Sequence, residues 1–415
     1  MMDRVILHVD MNNFFASVEC ADRPELWQQP VAVAGDVQAR HGIILAKNQV
    51  AKAYGVQTGE SIAEARRKCP RIVLLPPHMD RYQAISDKAR TIYAQYTDRV
   101  ESFGIDECWL DVTGNGRLWG EDYGVTIANE IRCRIKAELG VTVSVGVSFN
   151  KIFAKMGSDY KKPDAVTTIT RDNFRELLWP LPVGDLIFVG RSTVQKLWYM
   201  QIRTVGDLAR AEPERMEGAL GKCGLMAWRF ANGMDGSPVL YDGQDYPIKS
   251  IGNSTTTPVD MVTRRDAEIV LAQLCQSVAT RLRRADMRCT AVKLSLRTTD
   301  LAWKQRQKGT AATCLENDLW REAMTLYDTF HDGKPLRSIG ICACNLIDHG
   351  EEQLSMFDGD TCRHAALESL GGILDGLRDR YGARAVRRGL LLEGGVLIDG
   401  VPPQGSLPHP VAWRK

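Results

Sequence analysis

Several features of membrane and secreted proteins are missing from this sequence. No stretch approaches the roughly 20 consecutive apolar residues of a membrane span, and the apolar run near the start, "RVILHV", is far shorter than a signal peptide needs. Eleven cysteines are scattered singly without any CxxC pair, so no zinc-binding pattern of that type is present. We therefore expect a cytoplasmic protein with reduced thiols and no membrane contact.

A strong charge of one sign is missing too, since 53 Lys and Arg stand against 51 Asp and Glu. A balanced total does not exclude a local basic groove. Residues 246–348 do carry an excess of basic residues, with clusters at 281–284 and 304–308. From the sequence alone these clusters are either a solvated face or a nucleic-acid-binding surface. At roughly 100–200 residues per domain, the 415 residues predict two to four domains.

The N-terminal part alternates strand and helix patterns. "RVILHVDM" is apolar on both faces, as a covered central strand should be, and Asn12 or Asn13 can cap the short helix that follows. Apolar residues at every fourth position predict a helix that ends at Gly140, alternating valines predict a half-buried strand over 141–147, and 150–160 has a helical pattern. Together they indicate a split βαβ sheet with helices on one face.

The sequence pattern changes after Pro163. Residues 179–211 and 221–233 have the pattern of short helices joined by glycine-bearing turns, which can present N–H groups to phosphate but often only pack. A second α+β domain is predicted from about Lys249, with three strands around helices near 264–285 and 315–330, followed by a linker at 349–362 and a helix around 364–381.

Three carboxylates interrupt the apolar strand patterns. Asp10 ends the first predicted strand, and Asp106 and Glu107 lie at the tip of a predicted hairpin that can pair beside it. Carboxylates brought this close repel one another unless a cation joins them, and Mg²⁺ prefers oxygen ligands. The pattern therefore predicts a site for a pair of magnesium ions. The alternative is that these acids are unrelated and exposed to water.

Four motifs, in order and spacing, resemble those of the Y-family, lesion-bypass DNA polymerases, and most closely the polymerase IV branch. They are "HVDMNNFFASVE", "GIDECWLDVTG", "SVGVSFNKIFAKMGSDYKKP" and "LPVGDLIFVGRSTVQKL", and the resemblance covers residues 3 to 348. It implies a multidomain α+β fold arranged as a right hand, with a ferredoxin-like palm (1–10 and 78–166), small fingers (11–77), a helical thumb with a helix-hairpin-helix (167–240), an α+β little finger (246–348) and a linker with a C-terminal helix (349–415).

The resemblance also implies a catalytic site. Asp10, Asp106 and Glu107 would bind two Mg²⁺ ions, with the Met11 carbonyl as a backbone ligand. One ion would lower the pKa of the primer 3′-hydroxyl, and the other would neutralise the triphosphate and the departing pyrophosphate. The expected activity is template-directed, translesion DNA synthesis from deoxynucleotides, with low processivity and no proofreading.

The implied nucleotide contacts combine matches with departures from the family pattern. Lys162 matches the lysine that contacts the triphosphate, whereas a bare "YKKP" lysine would by default be a surface residue. Phe15 matches the steric gate that excludes a ribose 2′-hydroxyl, and Phe14 beside it is expected in the core. Gln49 and Lys52 stand where relatives usually carry tyrosine and arginine, and lysine lacks the arginine fork. Asp164, Ala165 and Phe188 also depart from the family pattern, which has asparagine or glycine there.

The implied partners are primer–template DNA and a bacterial sliding clamp, and the chain is expected to be a monomer. The DNA backbone would be bound by Val189, Gly190 and Arg191, and a second set of backbone contacts would come from the basic residues of 246–348. The peptide "EEQLSMFDGD" resembles the clamp-docking motif of bacterial polymerases. Its proposed contacts are Gln353, Leu354, Met356 and Phe357. The alternative is that this peptide packs on its own domain.

Two other functions fit parts of the same pattern. A nucleotide cyclase also uses a split βαβ sheet with two-metal acids, but the hairpin motif and the clamp-like peptide argue against it. A catalytically inactive DNA or clamp binder is conceivable because of Gln49 and Lys52. The intact set of Asp10, Asp106 and Glu107 argues against that alternative.

Overall fold

The computed structural model describes residues 3–36, 40, 42–120, 122–244, 247–348 and 361–399. The described residues divide into two compact units, one containing 3–35 and 43–244, the other containing Asp36, Arg40, Gly42, 247–348 and 361–399. Within the described residues, none of the helices has both the length and the apolar character that crossing a membrane would require.

The first unit contains eight strands and twelve helices among its described residues. In chain order they are β1 (Ile6–Met11), α1 (Phe14–Ala21), β2 (Val31–Ala34), β3 (Ile44–Lys47), α2 (Gln49–Ala53), α3 (Ile62–Lys68), β4 (Val73–Leu75), α4 (Met79–Tyr93), β5 (Val100–Ser102), β6 (Glu107–Asp111), α5 (Gly116–Trp119), α6 (Tyr123–Leu139), β7 (Val143–Ser148), α7 (Lys151–Tyr160), β8 (Val166–Ile169), α8 (Phe174–Leu178), α9 (Arg191–Tyr199), α10 (Val205–Arg210), α11 (Pro213–Leu220) and α12 (Lys222–Ala231).

A five-stranded sheet with the order β5-β6-β1-β7-β8 forms the centre of this unit. β1 pairs antiparallel with β6 and with β7, as a central strand should. The core between the sheet and helices α4 and α6 contains Leu7 and Val9 of β1. On the opposite face, Ile6 packs against Ala154 of α7. The prediction of helices on one face was therefore wrong, because α7 covers the second face.

Several local predictions are confirmed and two need correction. Gly140 ends α6 in the left-handed conformation at φ 70°, and the helix predicted over 150–160 is α7, which begins after Asn150. Asn13 occupies the N-cap of α1, but its side chain makes no capping bond. The strand predicted as half-buried is buried along its whole length as β7, because helices cover both of its faces.

Close packing of α7 on the sheet depends on one glycine. A Cβ atom built on Gly146 of β7 would lie 1.9 Å from the Ala154 carbonyl oxygen, so a larger residue would push the helix away. The contact brings the charged residues of α7 next to the end of β1. This placement matters for the site described below.

Two smaller parts complete the first unit. A three-stranded sheet, β3-β2-β4, packs with α2 and α3, and a capping box between Ser61 and Glu64 begins α3. Residues 174–231 form the helical part around one apolar core. Both predicted hairpins are present, although the first begins with only a 3₁₀ turn at Val183–Asp185 before α9.

The second unit has a four-stranded sheet, β11-β10-β12-β9, that buries one face under two helices. Its elements are β9 (Ser250–Met261), α13 (Arg264–Arg284), β10 (Met287–Thr298), β11 (Trp303–Thr313), α14 (Glu316–Phe330), β12 (Leu336–Asp348), α15 (Thr361–Tyr381), a 3₁₀ turn (Gly389–Glu393) and α16 (Val396–Asp399). β11 was not predicted, and α15 begins inside the segment predicted as a linker.

The C-terminal helix α15 packs on α13 through polar contacts. Asp375, which is buried, accepts hydrogen bonds from Thr280 Oγ1 and Arg283 Nε, both at 2.8 Å. Glu368 accepts another from Arg288 at 2.8 Å. The helix is thus fixed to the folded unit by charged pairs removed from water.

Candidate active site

The central sheet brings two of the three predicted carboxylates, those of Asp10 and Glu107, into one group. Asp10 and Glu107 lie directly opposite each other in the register of β1 and β6, so their side chains share one face. Ligand atoms of His8, Asp10 and Glu107 all lie within 4.8 Å of one another. Asp106 precedes β6, and its carbonyl accepts the Met11 N–H at 3.0 Å. Residues nearly 100 positions apart in the chain therefore converge at one point.

The electrostatics of this cluster are those of a cation site. Burial raises the pKa of Asp106 to about 7, and the negative charges of Glu107 and Asp10 add to the rise. Oε2 of Glu107 is buried without a hydrogen-bond partner among the described residues. The donors are carboxylate oxygens, which suit Mg²⁺ and similar hard cations. The residues present therefore fit a divalent metal.

Two lysines neutralise part of this charge. Lys155 Nζ lies 3.0 Å from Asp10 Oδ2 and 2.8 Å from Glu107 Oε1, and Lys162 Nζ lies 2.8 Å from the same oxygen of Asp10. Burial alone would lower the pKa of each lysine, but the neighbouring carboxylates outweigh it and raise the pKa of both. The sequence analysis identified Lys162 and missed Lys155. Lys155 lies on the face of α7 that also carries Lys151, four residues earlier.

His8 is a second residue that the sequence analysis missed. It is fully buried, its Nδ1 lies 2.8 Å from Ser158 Oγ, and its Nε2 lies 3.3 Å from Glu107 Oε2. Burial and the charge of Lys155 lower its pKa well below the usual value, so the imidazole is neutral. Its position two residues before Asp10, on the same face of a strand, was the available signal.

The two predicted phenylalanines have different environments. Phe14 is buried in the core, as expected, whereas Phe15 is only partly buried and stacks on Tyr82. The Tyr82 hydroxyl donates a 2.6 Å hydrogen bond to the buried Glu19 carboxylate, which also lies 2.9 Å from His78 Nδ1. Phe15 is thus the more accessible of the two rings, and the ring of Tyr82 packs against it.

Asn12 fixes the loop that carries Lys162. Its Oδ1 accepts the Asp164 N–H at 2.8 Å and the Thr142 hydroxyl at 3.1 Å. Asp164, at φ 55°, also accepts from Arg132 at 2.9 Å. Aspartate tolerates this left-handed conformation better than most residues. Asp164 therefore suits this backbone conformation and forms an ion pair with Arg132.

The remaining predicted contacts lie away from the carboxylates. Gln49 and Lys52 are exposed on α2, and within the described part of the chain neither contacts the cluster. Val189 is buried and its N–H donates to the Leu186 carbonyl at 3.1 Å, and its contact with DNA stays a prediction. Gly190 and Arg191 are exposed at the start of α9. The four predicted clamp contacts, Gln353, Leu354, Met356 and Phe357, lie outside the described residues.

Comparisons with known proteins show the family of this chain. The model of the impB/mucB/samB family matches residues 9–159, and the model of that family's C-terminal domain matches residues 248–356. The chain belongs to the impB/mucB/samB family. Among its relatives, DNA polymerase IV of Acetivibrio thermocellus is 48% identical over 395 residues, covering 94% of this chain and 98% of that protein. DNA polymerase IV of Clostridium acetobutylicum is 35% identical, with 94% and 99% covered.

A solved structure supports the fold of this impB/mucB/samB member. A Y-family DNA polymerase chimera superposes with a TM-score of 0.73 at 22% identity, covering 83% of this chain and 99% of that chain. The resemblance to Y-family polymerases and the multidomain α+β fold class, both predicted from the sequence, are confirmed.

Proposed function

We propose that this chain is a template-directed DNA polymerase of the translesion type, which adds deoxynucleotides to a primer 3′ end. Asp10, Asp106 and Glu107 are its metal ligands, with the Met11 carbonyl as a fourth donor. The observation that carries the proposal is the convergence of Asp10 and Glu107, with His8, within 4.8 Å on one face of the sheet. Family membership supports the same activity.

Two Mg²⁺ ions suit the carboxylate donors, and when bound they supply charge stabilisation to phosphoryl transfer. The protein's own contribution is positional. β1 and β6 fix the carboxylates opposite each other, and the Nζ atom of Lys162 lies 2.8 Å from Asp10 Oδ2. Its ammonium group would bind the triphosphate and stabilise the charge that develops on it.

Sugar selection is assigned to Phe15. The ring is partly exposed near the end of β1 and is held by Tyr82, so a ribose 2′-hydroxyl would collide with a rigid aromatic surface. Gln49 and Lys52 are proposed as weaker triphosphate contacts than the tyrosine and arginine of relatives, because lysine offers a point charge without a fork.

The right-hand assignment is proposed with the boundaries predicted above. The palm then corresponds to the five-stranded sheet, and the thumb to the helical part that contains α8 to α12. Gly190 and Arg191 and the basic residues of 246–348 would hold the DNA backbone, which makes primer binding strongly dependent on salt. A sliding clamp remains the proposed partner of Gln353, Leu354, Met356 and Phe357, for a monomeric enzyme in the cytoplasm.

Primer extension tests the proposal. Wild type should extend a primer with Mg²⁺ and four deoxynucleotides, and Asp106→Ala should lose nearly all extension. Asp172→Ala, at an exposed carboxylate outside the site, is the matched control and should extend normally. Extension persisting in Asp106→Ala would contradict the metal assignment, and no extension by any variant would contradict the polymerase activity.

A further inference from the structure

Lys155 contacts two proposed metal ligands from the side of α7. Its ammonium nitrogen lies 2.8 Å from Glu107 Oε1 and 3.0 Å from Asp10 Oδ2, and 3.4 Å from the more exposed Asp159. The Lys155 side chain is only 12% exposed. A charge this shielded from water interacts strongly with its neighbours, and solvent replaces it poorly when it is removed.

Lys155 contacts one carboxylate oxygen of Asp10 and one of Glu107. A carboxylate offers two acceptor oxygens, so Asp10 keeps Oδ1 and Glu107 keeps Oε2 for other partners. Among the described residues, Glu107 Oε2 has no hydrogen-bond partner. Lys155 therefore occupies one oxygen of each carboxylate and leaves the other for a cation.

The position of Lys155 differs from that of Lys162. The Lys162 side chain is twice as exposed, at 25%, and its ion pairs with described residues are with Asp10 and Asp159. Lys155 bridges the two strands β1 and β6 through Asp10 and Glu107. This bridge lets Lys155 offset the repulsion between carboxylates that the strand register places face to face.

We propose that Lys155 is a positioning residue, a built-in counter-ion that holds Asp10 and Glu107 together so that the site is formed before divalent ions bind. The inference rests on the metal site proposed above and assigns Lys155 a role toward it. Without Lys155, Lys162 would still pair with Asp10, but Glu107 would lose its ammonium partner, and a divalent cation would become the main source of positive charge between the two carboxylates. Folding stability would then depend on metal concentration, because a ligand that binds only the folded state stabilises it.

Thermal unfolding of the full chain with and without Mn²⁺ tests this role without any turnover. Lys155→Met should unfold at a lower temperature than wild type in EDTA, and Mn²⁺ should raise its unfolding temperature at least about twice as much as it raises that of wild type. Lys155→Arg, which keeps the charge, should restore most of the metal-free stability. Lys161→Met removes an exposed lysine nearby and should behave as wild type.

The outcomes separate this inference from the proposed function. A Lys155→Met protein with the metal-free stability and the Mn²⁺ response of wild type would overturn the counter-ion role. If Lys155→Met fails to fold in EDTA, refolding in Mn²⁺ supports the inference, and failure to refold there contradicts it. Asp106→Asn, alone or combined with Lys155→Met, should abolish the rise in unfolding temperature that Mn²⁺ causes. A response that survives in Asp106→Asn would show that the metal binds elsewhere, which overturns the proposed metal site.

Discussion

The ring of Phe15 stacks on the ring of Tyr82, with centroids 4.3 Å apart and planes inclined by 11°. Phe15 is the proposed steric gate, and Tyr82 is held from behind by the buried carboxylate of Glu19. The Phe15 ring can exclude a ribose 2′-hydroxyl only if it does not move away from the incoming sugar. Tyr82 therefore provides the stiffness on which sugar selection depends.

Replacing Tyr82 by leucine should weaken discrimination against ribonucleotides. Such an aromatic pair is worth about 0.5–1.5 kcal/mol, which corresponds to a roughly twofold to tenfold loss of selection. Single-nucleotide insertion with matched ribo- and deoxynucleotides measures the ratio. Tyr82→Phe keeps the ring but loses the hydroxyl that donates to Glu19, so it should lose less selection than Tyr82→Leu, while Phe15→Val should cause the largest loss. Unchanged selection in Tyr82→Leu would show that the stack does not support the gate.

Metal-free stability should fall as the pH rises through 7. The folded-state pKa of Asp106 is raised to about 7 from 3.8, so between these values the folded protein keeps a proton that the unfolded chain has released. The contribution of this proton to the free energy of unfolding is fully present below about pH 4 and is lost as the pH rises through 7. Asp106→Asn should therefore unfold at a higher temperature than wild type above pH 7 in EDTA. Unfolding curves at pH 5 and pH 8 measure the effect.

The exposed Asp172 supplies the control for this pH experiment, because Asp172→Asn removes a carboxylate that lies outside the cluster. The stability of Asp172→Asn should follow that of wild type at both pH values. If Asp106→Asn and wild type differ equally at pH 5 and pH 8, the titration of Asp106 does not contribute to stability.

Phe188 should tolerate glycine better than alanine. Its φ of 68° is costly for any residue with a Cβ, about 1–2 kcal/mol, and contacts of its ring with Phe103 and Phe230 offset that cost. Both substitutions remove the ring, but only alanine retains the backbone strain. Phe188→Gly should therefore be about 1 kcal/mol more stable than Phe188→Ala in urea unfolding. Equal or reversed stabilities would contradict the strain.

Docking of α15 should depend on Asp375 more than on Asp379. Asp375 is buried and accepts from Thr280 and Arg283, whereas the pair of Asp379 with Arg284 is about half exposed. Removing one partner of a buried pair is far more costly than removing an exposed one. Limited proteolysis should cleave α15 earlier in Asp375→Asn, with Asp379→Asn close to wild type. Equal protection in both variants would assign the docking to other contacts.

The sequence predicted the sheet and its carboxylates because their signals are local. A run that is apolar on both faces marks β1, and an acid pair inside an apolar run marks the tip that leads into β6. Lys155 was missed because its role depends on contacts across 48 and 145 positions, which no local pattern reports, whereas the strand spacing of His8 and Asp10 was a local signal that went unused. β11 was missed for a different reason. It is an exposed edge strand of mostly polar residues, so it lacks the apolar alternation that reveals a half-buried strand.

The direct opposition of Asp10 and Glu107 also limits which changes the sheet can accept. Side chains alternate between the faces of a strand, so a one-residue insertion or deletion within β1 or β6 would rotate one of these acids toward the apolar side of α4 and α6. Such a change would both bury a charge there and separate the pair. Length variation in this enzyme should therefore be confined to the connections between strands, while the two paired segments keep a constant number of residues.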